Sequence, residues 1–373
     1  MPGWEVVDNR ERESVLNVFD ENKGIAFAHG FDAMRKHYYV RELEKQVAQS
    51  VNAKYCQAVS SGSAGLYCAL RACGVGPGDE VITSCFTFIA TIEAILLCGA
   101  KPVCVDIDLS FNLDLVAVNG AITKKTKAIV PVHMAGAPVA MGAVIKIADE
   151  NKLYVVEDAC QAMGAVHSGR DVGTMGHIGV YSLDAGKAIQ CGEGGLIVTN
   201  FPHLFAEARA VHDHGHTYSG EGRAQEKPST AGFNFRMTEL QAAYALAQLR
   251  KLKNIISQQK ENKQAILSKK GVQEDRIFYG MDAGDCIIKT FDSPAIAQKM
   301  IASMKYRGIG TKNIPDALNW HFAQNWDHIF PDAKMWWNDS AELLSRAVAI
   351  PVPVIMAEDY PNRVREAILE TTQ

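Results

Sequence analysis

The chain has 373 residues, with 47% hydrophobic and 21% charged, a composition that excludes disordered and fibrous classes and suits one large domain with a smaller one. A net charge of −4 with Lys and Arg dispersed along the chain lacks the basic stripe of a nucleic-acid binder and favours a small-molecule partner. Nine cysteines without a C-x-x-C pair argue against a disulfide framework or a zinc site and for a reducing compartment, taken here as the cytoplasm.

The opening MPGWEVVDNRERESVLNVF carries charges of both signs where a signal peptide needs an apolar run. Export is not expected. Leu43, Val47 and Val51 then recur at helical spacing within residues Tyr39 to Ala53. A short apolar run, Tyr55 to Val59, ends in Ser60-Ser61-Gly62-Ser63, and a helical pattern follows over Ala64 to Ala72: strand, small-residue turn, helix. The same alternation recurs with Glu80-Val81-Ile82, a helix around Ile89 to Leu97, Pro102 to Val105, Ala128 to Val132, Tyr154 to Val156, and Leu196 to Val198. The apolar stretch Val81 to Ala100 holds Glu93 and three threonines, so it reads as strand and helix and not as a membrane span. Alternating strands and helices predict an α/β fold with a mainly parallel sheet covered on both faces, with ligands at strand C-terminal ends.

From Glu239 a single long helix is expected to run to Gly271 and to bridge two domains, residues 1–250 with an N-terminal arm and residues 251–373 as a smaller C-terminal one. The smaller domain would contain the strand Cys286 to Phe291, the helical SPAIAQKMIASMKYRG, and the aromatic-rich span from Trp320 to Trp337.

Three stretches carry chemistry. In VVEDACQAMGA, residues 155–165, a strand ends in two carboxylates; taken alone, Asp158 reads as the N-cap of a helix beginning at Ala159. In YSLDAGKAIQCGEGGLIVTN, residues 181–200, Lys187 sits among small residues, and a packed lysine can supply the neutral amine that attacks an aldehyde. The alternative for Lys187 is a surface lysine in a glycine-rich loop. The run Ser60 to Ala64 at a helix start offers amide donors and hydroxyls to a phosphate, although ordinary capping is the commoner use of such residues. A phosphate cradle, a strand-end Asp and a Lys, in that order on an α/β chain, answer the phosphate, the pyridine nitrogen and the aldehyde of pyridoxal 5'-phosphate. A dinucleotide oxidoreductase is weakened by the lack of G-x-G-x-x-G after the first strands.

With these motifs and GFNFRMTELQAA, the chain resembles the sugar aminotransferases of the DegT/StrS group over most of its length. The resemblance implies a fold-type I, aspartate aminotransferase-like architecture: a large domain with a mainly parallel mixed sheet plus a smaller α+β C-terminal domain. It also implies a homodimer with a shared active site, no metal, and amino transfer from glutamate, released as 2-oxoglutarate, to an oxidised sugar. By matching position, Lys187 is the lysine that forms a Schiff base with the cofactor and later moves a proton. Asp158 pairs with the pyridine nitrogen, and Gln161, one helical turn on, reaches the ring hydroxyl. Gly62, Ser63 and Ser182 bind the phosphate, Phe86 lies flat on the ring, and Asn234 completes the phosphate site of the neighbouring subunit. Glu193 supports a glycine-rich turn, and Arg236 has no assigned role.

The resemblance also sets alternatives. The group's sugar dehydratases place a histidine where Lys187 stands, so their chemistry is disfavoured. A PLP lyase keeps Lys187, Asp158 and Gln161 but needs no glutamate, and a non-catalytic regulator needs none of the three together. Leu183-Asp184-Ala185 departs from the group's usual aromatic before the lysine. His321, within residues 308–322, matches a substrate-facing histidine. The opening MPGWEVV with FDAMRKHYYVRELE, and the segment TKNIPDALNWHF, resemble the branch that forms 8-amino-3,8-dideoxy-manno-octulosonate from its 8-oxo sugar acid for lipopolysaccharide; a nucleotide-linked keto sugar is the other acceptor.

Overall fold

The structure is a computed structural model that describes residues 2–219 and 225–371. An N-terminal arm carries α1 (Pro2–Glu5), α2 (Asn9–Asn22) and α3 (Tyr39–Ser50). The sheet region follows in the order β1 (Tyr55–Val59), α4 (Gly62–Ala72), β2 (Glu80–Ser84), α5 (Ala90–Leu97), β3 (Lys101–Val105), α6 (Leu115–Ala121), β4 (Thr126–Val130), α7 (Met141–Asn151) and β5 (Tyr154–Asp158). It continues through a short hairpin of β6 (Val166–His167) and β7 (Arg170–Asp171), then β8 (Ile178–Ser182), β9 (Gly195–Thr199) and α8 (Pro202–His212). After α9 (Glu239–Leu249) and α10 (Leu252–Leu267) come β10 (Cys286–Thr290), α11 (Pro294–Tyr306), α12 (Leu318–His321), α13 (Asn338–Ser345), β11 (Ala347–Pro351) and α14 (Tyr360–Thr371).

Seven strands form one sheet in the order β1-β9-β8-β5-β4-β2-β3. Only β9 runs against the rest, antiparallel to both β1 and β8, so the sheet is mixed and mainly parallel. Strands β2, β8 and β9 are buried along their whole length, as expected of a sheet covered on both faces. The strand order brings the C-terminal ends of β1, β8 and β5 to one edge, with those of β4 and β2 alongside. Antiparallel β10 and β11 form a separate pair packed with α11 and α14.

Two features depart from the pattern read along the sequence. Helix α2 was not visible as a periodic segment, because the residues it buries include Glu11 and Asn22 besides Val18. Its start is set by a capping box between Asp8 and Glu11. The expected single helix from Glu239 to Gly271 is two helices broken at Arg250-Lys251, where the Lys251 ammonium turns inward to the Val6 carbonyl (2.8 Å) and the buried Glu11 carboxylate. Strand β8 contains Gly179, where a Cβ would stand 2.0 Å from the Gly173 carbonyl oxygen. We propose the boundary between the two units at the Arg250-Lys251 break, since the seven-stranded sheet lies wholly before it and the β10-β11 pair wholly after it. Among the described residues no helix is long and apolar enough to cross a membrane.

Gly179→Ala must push backbone from backbone, so it is expected to cost at least about 3 kcal/mol. A lowered urea midpoint at unchanged slope checks this; a midpoint equal to that of the wild type would show that the β8 contact with Gly173 yields freely.

Candidate active site

Asp158 ends β5 and is 5% exposed. Its backbone is locked on both sides, by Asp158 N–H to the Pro131 carbonyl (2.9 Å) and by His133 N–H to its own carbonyl (3.0 Å). Its Oδ1 accepts the Cys160 amide (3.1 Å) and its Oδ2 accepts the Thr91 hydroxyl (2.7 Å). Because the Thr91 proton goes to the carboxylate, the Thr87 hydroxyl 2.7 Å away donates to Thr91. No helix begins at Ala159: residues 159–165 are successive turns, with Ala162 N–H on the Ala159 carbonyl (3.0 Å) and Ala165 N–H on the Ala162 carbonyl (2.9 Å). The capping reading of Asp158 therefore falls, and Gln161 is placed by a turn and not by a helix.

The neighbouring carboxylate has a different fate. Glu157 points to the opposite face, fully buried, and accepts the His133 Nε2–H (3.0 Å) and the amides of Gly173 (2.7 Å) and Met175 (2.6 Å). Burial pushes its pKa up, but His133 and the amides outweigh burial and hold it below the usual range.

Lys187 lies half-buried in the loop after β8. Asp184 closes that loop, its Oδ1 accepting the Gly186 amide (2.9 Å) and its carbonyl accepting the Lys187 amide (3.0 Å). The departure Leu183-Asp184-Ala185 thus builds the turn from which Lys187 projects, with Leu183 itself in the core.

Helix α4 starts against the end of β8. Ser61 caps the helix through the Ala64 amide (3.1 Å), which leaves the first-turn amides of Gly62 and Ser63 for a ligand. A Cβ on Gly62 would stand 3.0 Å from Ser182 Cβ and 3.1 Å from Cys160 Sγ. One on Gly195 would stand 2.4 Å from the Ser61 carbonyl oxygen, so two glycines permit the approach. The Ser182 hydroxyl oxygen accepts the Asp184 amide (3.3 Å), so its proton remains available to a ligand. Cys160 links the three pieces: burial raises its pKa, the Asp158 charge raises it further, and the Lys187 charge opposes.

Gln161 is half-buried, and its Oε1 accepts both the Ala135 amide (3.3 Å) and the Asn313 Nδ2 (3.3 Å). Its acceptor is occupied, which leaves its NH₂ to donate. Asn313, in the left-handed region at φ 66°, was not singled out as a site residue, and neither was Thr91. Thr91 had a readable signal, since Thr87 and Thr91 fall one helical turn apart.

The aromatic position is corrected. Phe86 is 0% exposed, packed in the core with Ile92, Met134 and Trp326, and has no face to offer a ligand. Two residues on, Phe88 is 42% exposed, with its ring 5.3 Å from that of His321 and 6.4 Å from that of Trp320. Helix α12 is sewn onto this segment by Thr87 N–H to the His321 carbonyl and Ile89 N–H to the Trp320 carbonyl, both 2.9 Å. His321 is buried, and burial lowers its pKa below the ordinary imidazole value; the hydrogen bond to the Ala317 carbonyl opposes the shift and the Lys187 charge adds to it. Its Nδ1 lies 2.9 Å from the Ala317 carbonyl, which can only accept, so Nδ1 carries the proton and Nε2 is an acceptor.

The GFNFRM segment is clamped beside the cradle by Ser60 N–H to the Phe235 carbonyl (2.7 Å). Asn234 is exposed there, in a bridge with Asp213. Arg236 ion-pairs with Asp213 and lies 5.2 Å over the Phe27 ring, a structural role. The exposed Glu193 acts through its carbonyl, which accepts Gln241 Nε2 (2.7 Å).

The donor set fits pyridoxal phosphate: two first-turn amides and the Ser182 hydroxyl for the phosphate, a fixed carboxylate for the ring nitrogen, an NH₂ donor for the ring oxygen, an aromatic face in Phe88, and the Lys187 amine. The DegT/DnrJ/EryC1/StrS aminotransferase family model matches residues 27–369. Over 207 residues the chain is 43% identical to the "Pleiotropic regulatory protein" of Geobacillus stearothermophilus, which covers 55% of this chain and 54% of that protein. Over 247 residues it is 40% identical to the GDP-perosamine synthase of Caulobacter vibrioides, covering 66% and 63%. These matches thus span little more than half to under two thirds of the relatives' own lengths. Among solved structures, the aminotransferase from Psychrobacter cryohalolentis superposes with a TM-score of 0.85 at 26% identity, over 99% of this chain and 98% of that one. A 3-amino-5-hydroxybenzoic acid synthase does so with 0.85 at 26% over 99% and 97%.

Phe86 and Phe88 separate core from site. Phe86→Ala is expected to lose about 4 kcal/mol of stability by leaving a cavity. Phe88→Ala should stay within about 1 kcal/mol of wild type while weakening pyridoxal phosphate binding ~10-fold, as loss of one aromatic contact does. Denaturant titration and cofactor titration give the two readouts, and the opposite pattern would return the ring face to Phe86.

Proposed function

The chain belongs to the DegT/DnrJ/EryC1/StrS aminotransferase family, and on that premise we propose that it uses pyridoxal phosphate at Lys187 and Asp158 to transfer an amino group from glutamate to the carbonyl of a sugar. The observation that supports this reading is the meeting of three chain segments at Cys160, where the start of α4, the end of β8 and the Asp158 carboxylate at the end of β5 come together, in the field of the Lys187 charge.

Bound there, pyridoxal phosphate supplies an aldehyde for the amine and a protonated ring that takes up the electrons released at the substrate carbon. Asp158, held by the Thr91 hydroxyl and the Cys160 amide, is the anion that keeps the ring nitrogen protonated. Gln161 donates its NH₂ to the ring oxygen. Gly62, Ser63 and Ser182 hold the phosphate. Lys187 would hold the aldehyde carbon, and its Nζ would be the base that takes the α-proton of glutamate and, with the sugar as acceptor, the acid that gives a proton to the sugar carbon. His321 presents Nε2 as an acceptor for a sugar hydroxyl.

For the acceptor we propose a nucleotide-linked keto sugar. GDP-perosamine synthases support this: the one from Caulobacter vibrioides, and that of Escherichia coli O157:H7, 36% identical over 230 residues. The 8-oxo sugar acid reading rests on the arm and on residues 311–322. We also propose a homodimer, in which the exposed Asn234 serves the phosphate of a second copy.

Lys187→Ala should abolish both the near-visible band acquired with pyridoxal phosphate and all turnover; a variant that keeps both sinks the assignment. Glutamate alone should convert the bound cofactor to its amino form, whereas a lyase would not do so. Incubation with glutamate and either a GDP-linked keto sugar or the 8-oxo acid, read by mass spectrometry, decides the acceptor.

A further inference from the structure

Lys187 projects from a loop, and a loop aims an amine only as well as its backbone is held. Inside the loop Asp184 accepts the Gly186 and Lys187 amides. The Lys187 carbonyl is held from outside: it accepts the amide of Gly3 (3.0 Å), in α1. Gly3 is buried and the place takes nothing larger, since a Cβ would stand 2.8 Å from Gln248 Oε1 and 3.1 Å from the carbonyl oxygens of both Lys187 and Ala188.

Helix α1 has four residues, too few to hold itself, so contacts at its ends decide where it lies. At its far end Glu5 Oε2 accepts the amides of Val354 (2.7 Å) and Ile355 (2.9 Å), in the loop after β11. The Val6 carbonyl accepts the Lys251 ammonium (2.8 Å), and buried Glu11 draws in both that ammonium and Gln248 Nε2 (2.7 Å). Between the fastened ends Trp4 is 63% exposed, so burial of its side chain is not what keeps the segment in place.

We propose that α1 is a strap that positions Lys187, with Gly3 and Glu5 as its positioning residues, coupling the lysine loop to the segment after β11. The proposal rests on the reading of Lys187 as the cofactor-bearing lysine. Its path is a continuous one: two amides after β11, the Glu5 carboxylate, one turn of helix, the Gly3 amide, and the Lys187 carbonyl. A movement of residues 354–355 is thereby passed to the backbone that carries the amine.

The test uses the full chain as Gly3→Ala, Glu5→Ala and Glu5→Gln, with Trp4→Ala as a control. Hydrogen exchange without cofactor is expected to be ~10-fold faster across residues 184–191 in Gly3→Ala and Glu5→Ala, the factor given by loss of a hydrogen bond of ordinary strength. Exchange in β5 should stay unchanged, and Glu5→Gln, which keeps an acceptor oxygen, should resemble wild type, as should Trp4→Ala. With pyridoxal phosphate, the pH midpoint of the near-visible band should shift in the first two variants only, and kcat should fall with KM for glutamate unchanged. Loop exchange and pH midpoint equal to wild type in Gly3→Ala and Glu5→Ala overturn the strap. Should Gly3→Ala not fold, Glu5→Ala against Glu5→Gln decides, and equal loop exchange in that pair overturns it. A wild-type chain that gains no near-visible band refutes the reading of Lys187 instead, and the exchange data still decide whether α1 holds the loop.

Discussion

The amide end of α4 meets the ends of β5 and β8 only because residue 62 has no side chain. A single methyl group there would stand 3.0 Å from Ser182 Cβ and 3.1 Å from Cys160 Sγ, tighter than van der Waals contact, and one on Gly195 would stand 2.4 Å from the Ser61 carbonyl oxygen, which backbone cannot tolerate without shifting. With the approach closed, the first-turn amides of α4 and the Ser182 hydroxyl lie beside Cys160, whose own amide is bonded to Asp158. If it were opened by an ångström, the donors would no longer converge on one ligand. The rest of the site is arranged around that contact.

Charge is sorted around it by the pleat of one strand. Glu157 and Asp158 are consecutive, so their side chains leave β5 on opposite faces. Glu157 is consumed by His133 and the amides around Gly173, and serves to anchor two loops under the sheet. Asp158 is held by a hydroxyl and one amide and keeps lone pairs for a cation. A buried carboxylate with spare acceptors is costly unless something positive meets it, which is what a protonated ring nitrogen supplies. His321, whose pKa burial lowers, adds a hydrogen-bond acceptor beside the exposed Phe88 ring.

The corrections share a cause. Phe86 and Phe88 look alike in the sequence, and which of them faces the site depends on how residues 85–91 leave β2 and pair with Thr87 and Ile89 against α12. The helix expected after Asp158 gives way to turns because the carboxylate and the Gln161 amide are engaged by groups far along the chain: Thr91, Ala135 and Asn313. The helix beyond Glu239 breaks where Lys251 finds Glu11, two residues brought together from opposite ends of the first unit. In each case a long-range polar contact overrode a local pattern.

The alternation of short apolar runs with helices was enough to establish an α/β chain with a mainly parallel sheet, because a strand buried on both faces must be apolar throughout whatever its neighbours are. The order of a small-residue helix start, a strand-end Asp and a glycine-flanked Lys named the cofactor, since each group needs one kind of partner chemistry. Tertiary structure alone decided which of two carboxylates is left with spare acceptors and which of two phenylalanines is exposed, that Asn313 meets Gln161, and that the amide of Gly3 in a four-residue helix holds the carbonyl of Lys187. Those choices rest on hydrogen bonds between residues tens to hundreds of positions apart, and no periodicity within a strand or helix encodes them.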